Sequence, residues 1–148
     1  MFVNRLEKKG FTLIEFLLVI IITSILITVS LPKLRSSFDD FRLKNFAGEL
    51  QIFMTYLKER SIVEGRVIYL NIDNENRRLW AQIKDEPRPL KALILPQGLS
   101  LESGKEQVLF YPDGQIDNIT LAVMNADGRR MSLTTKGVFG GVKILTQE

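Results

Sequence analysis

Residues 11–31 form an apolar run in which Glu15 is the only charged residue. As an α-helix rising about 1.5 Å per residue, the run would extend roughly 31 Å, which matches the hydrocarbon core of a bilayer, about 30 Å thick. A buried helix of a soluble protein is seldom apolar on every face over such a length. The run therefore predicts a membrane-spanning helix. Because Arg5, Lys8 and Lys9 precede it, the amino end should stay in the cytoplasm and the rest of the chain should cross.

The flanks of this run do not fit a secretory signal peptide. Such a signal carries its small-residue cleavage site after the apolar run, whereas residues 30–35 read Ser-Leu-Pro-Lys-Leu-Arg. The conspicuous small residue is Gly10, in front of the run. A cut after Gly10 would remove the basic leader and keep the apolar helix in the mature chain.

Glu15 is an unusual residue for a plain membrane anchor. A carboxylate at the centre of a membrane helix costs about 2.5–3.5 kcal/mol on insertion scales, and less near an end. One interpretation places Glu15 close enough to the interface to reach water. In the other, Glu15 pairs with a cation, which a cut after Gly10 would create as the α-amino group of Phe11. That pair could form within one chain or between staggered chains, where it would set the register of an assembly.

The segment Lys8-Lys9-Gly10-Phe11-Thr12-Leu13-Ile14-Glu15 resembles the processing motif of type IV prepilins and type II secretion pseudopilins. The resemblance implies that a membrane prepilin peptidase cuts between Gly10 and Phe11 and N-methylates Phe11. It also implies that Glu15 sets the assembly register and that Pro32 kinks the helix. The implied partners are this peptidase and methylase, other pseudopilins or pilins, an inner-membrane assembly platform and, before assembly, membrane lipid.

Helical periodicity resumes after Pro32. Apolar residues recur at mostly three- or four-residue spacing, with one slip between Phe41 and Phe46, and charged residues lie between them. Gly65 follows as a suitable C-cap. Residues 32–64 are therefore predicted to continue the helix and to bury one face, formed by Leu34, Phe38, Phe41, Phe46, Leu50, Phe53 and Leu57.

After Gly65 the hydrophobic period changes to two, which is typical of strands. Asp113-Gly114 and Asp127-Gly128 supply turns, and Pro87 and Pro89 place their stretch at a sheet edge or in a loop. The predicted strands cover 66–72, 77–84, 90–95, 107–111, 119–125, 130–135 and 138–145. The predicted fold class is α+β, with a long helix packed on an antiparallel sheet or a two-layer β domain.

The chain is thus predicted to have four parts. They are a leader over 1–10, an apolar transmembrane or filament-core helix over 11–31, an amphipathic continuation over 32–64 and a periplasmic β-rich domain over 65–148.

Two further motifs are similar to the GspH/FimT family of pseudopilins. The first is the helix exit, Tyr56–Gly65, and the second is Phe110-Tyr111-Pro112-Asp113-Gly114 with the Gly-rich closing strand Gly137–Ile144. The resemblance implies a minor pseudopilin of a type II secretion pseudopilus, which helps to export folded proteins. It would span the inner membrane once, with its carboxyl-terminal domain in the periplasm, and would join a periplasmic pseudopilus after assembly.

Two alternatives stay open. In the first, the chain is a minor type IV pilin used in surface pilus assembly, adhesion, motility or DNA uptake. In the second, it is a membrane-anchored binding module that never polymerises. The alternatives differ at Glu15, because only an assembling subunit needs that carboxylate.

The chain contains no His and no Cys. Ser-His-Asp and Cys-His nucleophile pairs and thiolate metal sites are therefore excluded, and no nucleotide-binding motif is present. We predict that the protein is not an enzyme and has no metal site and no cofactor. The acidic turn Asp73-Asn74-Glu75-Asn76 is interpreted as a solvated turn, and Asp39-Asp40 as part of a solvated helix face.

A group of basic residues near Trp80 suggests a DNA-binding face, since aromatic and basic side chains together bind nucleic acid. Residues 1–10 contribute +2 of the net charge of +3, which leaves only +1 for the rest of the chain. DNA is therefore less favoured as a partner than solvated strand faces. The basic residues are Arg77, Arg78, Lys84, Arg88, Lys91, Arg129 and Arg130.

Overall fold

A computed structural model of the protein describes residues 11–86, 88–135 and 141–147, with side chains left out over 30–36 and 146–147. The described residues form one helix and eight strands, and they confirm the predicted α+β class. The elements are α1 (Leu13–Glu64), β1 (Ile68–Asp73), β2 (Arg78–Ile83), β3 (Pro89–Ile94), β4 (Leu99–Ser103), β5 (Gln107–Phe110), β6 (Thr120–Asn125), β7 (Arg130–Thr134) and β8 (Lys143–Gln147).

The chain divides into two compact units, Met1–Ser36 and Ser37–Glu148. The first unit contains the amino-terminal part of α1. The side chains of residues 30–36 are not described, so the predicted kink at Pro32 and the predicted burial of Leu34 lie outside the described part of the chain. The leader over residues 1–10, which includes Gly10, also lies outside the described residues.

The strands of the second unit form two antiparallel four-stranded sheets. The first has the order β3-β2-β1-β5 and the second the order β4-β6-β7-β8. β3 begins at Pro89 and lies at an edge, where a residue without an N–H is tolerated. The position of β3 agrees with the edge predicted from the prolines.

The strand predictions fail in two places. β4 was not predicted, because its alternation consists of only Leu99 and Leu101 between a proline and a short polar stretch. β8 begins at Lys143 rather than at residue 138: Gly141 and Val142 are not in a strand, and residues 136–140 lie outside the described part of the chain.

One hydrophobic core joins the helix and both sheets of the second unit. It consists of one face of α1 and the inward-facing side chains of both sheets. Burial of this apolar surface is the main stabilising contribution expected for the domain. The largest fully buried side chains are Phe46, Phe110, Leu50, Met54, Leu57, Ile68, Leu70, Leu79, Leu121, Leu133, Val108 and Val123.

The predicted buried stripe of α1 is wrong at its start. Phe46, Leu50, Phe53 and Leu57 are buried as predicted, but Phe38 and Phe41 are exposed. The five-residue step from Phe41 to Phe46 rotates the side-chain direction by roughly 140° around a helix of 3.6 residues per turn. The slip in spacing therefore marks a change of face rather than an irregularity within one face.

A polar contact joins α1 to the β6–β7 hairpin. Asn125 donates from Nδ2 to Asp40 Oδ1 at 3.3 Å, and the guanidinium of Arg129 forms an ion pair with the other carboxylate oxygen of Asp40. Asn125 also accepts the Arg129 backbone N–H at 2.9 Å. Asp40 is therefore bound to the hairpin and does not belong to a solvated face.

The end of α1 contacts the loop after β5. The Ser61 hydroxyl, which is fully buried, lies 3.0 Å from the Tyr111 carbonyl oxygen and 2.7 Å from that of Lys58. Gly114 has a φ of 84°, and a Cβ at that position would lie 3.3 Å from Ile62 Cδ1. Only glycine fits this left-handed, closely approached position without strain. The two motifs that are similar to the GspH/FimT family therefore meet in space.

Candidate assembly site at the helix N-terminus

The first turn of α1 is closed by a reciprocal pair of residues, Thr12 and Glu15. The Glu15 carboxylate accepts two bonds at Oε2, from the Thr12 backbone N–H at 3.0 Å and from the Thr12 hydroxyl at 3.2 Å. In return, Thr12 Oγ1 accepts the Glu15 backbone N–H at 3.3 Å. Since α1 begins at Leu13, Thr12 is the N-cap and Glu15 is residue N3, which is the arrangement of a capping box.

Thr12 is the residue that sequence reasoning missed at this site. The spacing Thr-x-x-Glu in front of an apolar run is a recognised helix-start pattern. This spacing is the signal from which the role of Thr12 in the first turn could have been predicted. A carboxylate near the positive end of the helix dipole is also locally favourable.

The apolar side chains in the amino-terminal part of α1 are exposed. Each residue from Phe11 to Val29 is exposed. Its hydroxyl groups are occupied by the helix itself, since Thr23, Ser24 and Thr28 donate to the carbonyl oxygens four residues earlier at 2.6, 2.7 and 2.8 Å. The surface offered to the surroundings is therefore almost purely apolar.

Within the described residues, no helix meets the combined requirement of length and apolar character for crossing a membrane.

Several of the basic residues considered for DNA contact other groups of the protein. Arg77, at a φ of 54° in the β1–β2 turn, donates from Nη2 to the carbonyl oxygens of Pro96 at 2.6 Å and Leu99 at 2.9 Å. It thereby ties the first sheet to the start of β4. Its role is structural, which its position in a charged turn did not predict.

The aromatic partner of this group, Trp80, is covered on one side by protein. The guanidinium of Arg78 lies 4.9 Å from the centre of the Trp80 ring, and its Nε lies 3.6 Å from Asp73 Oδ2. Arg130 Nη2 lies 3.9 Å from Glu102 Oε2. These contacts account for several of the basic side chains, and DNA stays the less favoured partner, whose binding is untested.

The acidic turn is closed by its own side chains. Asp73 accepts the Asn76 backbone N–H at 2.9 Å and the Asn76 side-chain amide at 2.7 Å. These bonds hold the pKa of the Asp73 carboxyl below its usual value. Across the described part of the chain, no group of three or more acidic side chains is placed to hold a metal ion.

Comparison with known proteins identifies the N-terminal segment. Residues 5–31 match the family described as the prokaryotic N-terminal methylation motif. The match includes Gly10, Phe11 and Glu15, and it ends where the apolar run ends. No curated protein matches the sequence of this chain.

Solved structures share the fold. The minor pseudopilin EpsH from the type 2 secretion system of Vibrio cholerae matches with a TM-score of 0.59 at 19% identity, over 71% of this chain and 97% of EpsH. A second EpsH structure matches with a TM-score of 0.61 at 17% identity, over 75% of this chain and 97% of EpsH. The chain thus combines a match to the N-terminal methylation motif over residues 5–31 with the fold of these solved structures.

A minor pilin has a fold that is similar to nearly the same degree. The type IV minor pilin FimU of Pseudomonas aeruginosa matches with a TM-score of 0.58 at 16% identity, over 72% of this chain and 88% of FimU. At such identities the likeness concerns the fold. It does not distinguish a pseudopilin from a pilin.

Proposed function

We propose that this chain is a minor pseudopilin of a type II secretion pseudopilus. One observation carries the proposal: a domain with the fold of the minor pseudopilin EpsH is joined to an N-terminal methylation motif over residues 5–31. In this proposal the chain is cut between Gly10 and Phe11, N-methylated at Phe11 and assembled through α1.

The exposed apolar part of α1 supports this cycle. An apolar helical surface from Phe11 to Val29 has to be covered by lipid or by other helices. Before assembly, we infer insertion in the inner membrane with a cytoplasmic amino end and a periplasmic β domain. On assembly the helix exchanges lipid contacts for helix contacts, which provides little net hydrophobic driving force.

A polar pair would then supply the specificity that apolar contacts lack. Glu15 is the only charged residue of the apolar run, and its carboxylate lies at the start of α1, next to the proposed new amino terminus at Phe11. An ammonium group from a neighbouring subunit would neutralise it. Such a pair in apolar surroundings is favourable only in good geometry, so it would fix the stagger between adjacent helices.

The chain is proposed to act as a structural subunit and as the substrate of an enzyme rather than as an enzyme itself. Its partners would be the prepilin peptidase and methylase, other pseudopilins and an inner-membrane assembly platform. Without His or Cys, the chain offers no side chains for the common nucleophilic pairs.

A second candidate function is that of a minor type IV pilin. The observation in its favour is the likeness to FimU. The TM-score of FimU is only 0.01 to 0.03 below the TM-scores of the two EpsH structures. Processing and assembly would be the same, and only the filament and its use would differ.

The supernatant of a deletion strain distinguishes the two candidates. We expect selective loss of folded secreted proteins, restored when the gene is returned. Cell lysis is controlled by following a cytoplasmic marker protein in the same supernatants. An unchanged set of secreted proteins together with lost surface pili would reject the secretion role and establish the pilin role.

A further inference from the structure

The outward face of the first sheet carries two rows of uncharged side chains. Directly opposite residues of antiparallel strands lie on the same face of a sheet, and the registers of β3, β2, β1 and β5 define both rows. All of these side chains are exposed or partly exposed. Together they form a neutral surface that combines aromatic rings with amide groups. The first row is Ala92, Trp80, Asn71 and Gln107, and the second is Pro89, Gln82, Tyr69 and Leu109.

A cavity of about 280 Å³ lies beside Trp80 on this face. Its lining consists of Arg78, Trp80, Gln82, Pro89 and Ala92. Small-molecule sites in proteins combine apolar and aromatic side chains with a few polar groups, and this volume is near the lower limit of such clefts. The cavity therefore suits a single ring rather than a large ligand.

The amide groups of Asn71 and Gln107 form a pair next to the cavity. Gln107 donates from Nε2 to Asn71 Oδ1 at 2.8 Å. This bond uses the nitrogen of one amide and the oxygen of the other, so it leaves the Asn71 nitrogen as a donor and the Gln107 oxygen as an acceptor. An acetamido group offers the complementary set, which is a carbonyl oxygen and an N–H.

The charge of this face does not suit a ligand that carries phosphate groups. Neither row contains a charged side chain, whereas nucleic acid binding depends on Lys and Arg contacts to phosphates. The neighbouring guanidinium of Arg78 lies 4.9 Å from the centre of the Trp80 ring, and its Nε lies 3.6 Å from Asp73 Oδ2. A neutral ligand with a ring that can stack therefore fits the face better than a nucleic acid does.

We propose that this face is a binding site for a neutral glycan whose sugars carry acetamido groups. One sugar ring enters the cavity and packs its apolar side against Trp80, and an acetamido group bonds to Asn71 and Gln107. Gln82 donates from Nε2 to the Glu86 carbonyl oxygen at 2.6 Å and offers its Oε1 to a sugar hydroxyl group. The site lies outside the assembly helix, so the proposal goes beyond the proposed function and does not depend on it.

Trp80 is the only tryptophan of the chain, so tryptophan fluorescence reports directly on this site. The full chain is purified in a detergent without a sugar head group and titrated with chitotetraose, an oligomer of N-acetylglucosamine. We expect a saturable change in fluorescence. Cellotetraose, the corresponding oligomer of glucose, lacks the acetamido groups and should bind about tenfold more weakly, because it loses the hydrogen bonds to the amide pair.

Substitutions test the individual residues, with binding measured by calorimetry. Gln107→Leu removes the acceptor and the bond to Asn71, and it should weaken chitotetraose binding about tenfold. Gln107 is exposed, so this variant should fold like the wild type. Gln97→Leu is the matched control, because Gln97 is an exposed amide in the turn before β4, and it should leave binding unchanged. Trp80→Leu should weaken the binding of both oligomers about tenfold through loss of the aromatic ring.

Four results would overturn the proposal. They are no fluorescence change with chitotetraose at millimolar concentration, equal affinity for chitotetraose and cellotetraose, wild-type affinity of Gln107→Leu, and saturable binding of an oligothymidylate in place of the glycan. The last result would assign the face to nucleic acid. None of them affects the proposed function, because that function is tested separately by the secreted proteins of the deletion strain.

Discussion

Chains carrying Glu15→Ala are expected to be cut, inserted and folded normally but to be absent from filaments. Removing the carboxylate leaves an incoming ammonium group without its partner in apolar surroundings, where an unpaired charge is strongly unfavourable. We expect incorporation to fall by more than about a hundredfold, since breaking a buried pair costs roughly 3–5 kcal/mol. The measurement is the ratio of filament-bound to processed chain.

Glu15→Gln is the matched variant for this prediction. It keeps the length of the side chain and an oxygen that can accept from Thr12, but it removes the charge. We expect it to be excluded from filaments nearly as strongly as Glu15→Ala. Normal incorporation of Glu15→Ala would contradict the role proposed for Glu15, whereas absence of the wild-type chain itself from filaments would favour a membrane-anchored module that does not polymerise.

Phe46→Ala is expected to destabilise the second unit by about 3–5 kcal/mol, the usual loss for a large aromatic side chain removed from a core. Phe46 is 1% exposed and belongs to the cluster that joins α1 to both sheets. The free energy of unfolding is measured by urea denaturation of a fragment that begins at Ser37, the first residue of this unit.

Phe41→Ala is the control, because it makes the same chemical change five residues earlier on the same helix. Phe41 is 62% exposed, so its removal should alter the free energy of unfolding by no more than about 0.5 kcal/mol. Equal losses for the two variants would mean that Phe41 is buried against the domain and that the assigned helix face is wrong.

The regular parts of the fold could be predicted from the sequence. The helix through Glu64 follows from the long apolar run and the periodicity after it, and its end follows from Gly65, whose φ is 63°. Most strands follow from alternation and from turn residues such as Asp127-Gly128. These features depend on neighbours in sequence, so a linear pattern records them.

The features that were missed depend on contacts between distant parts of the chain. Nothing near Asp40 in sequence indicates that it binds Arg129, and Arg77 appeared to be a surface charge although it binds the Pro96 and Leu99 carbonyls. The prediction that Phe38 is buried was wrong for another reason. A helical spacing gives positions on a face but does not say which face the sheets will cover.

The candidate site was predicted in part. Gly10, Phe11 and Glu15 carry a motif that depends on local spacing, and the family match over residues 5–31 includes all three. Their roles in processing and assembly stay predictions. The bonds between Thr12 and Glu15 were not predicted, although both residues belong to the same helix-start spacing.

The most direct test of this account is the mass of the amino-terminal peptide of the chain, isolated from membranes of cells that contain the prepilin peptidase. We predict a chain that begins at Phe11 and carries one methyl group on its α-amino nitrogen. A peptidase-deficient strain, in which the chain should begin with its leader, serves as the control. A chain that keeps residues 1–10 in the presence of the peptidase, or one cut after the apolar run, would contradict the account.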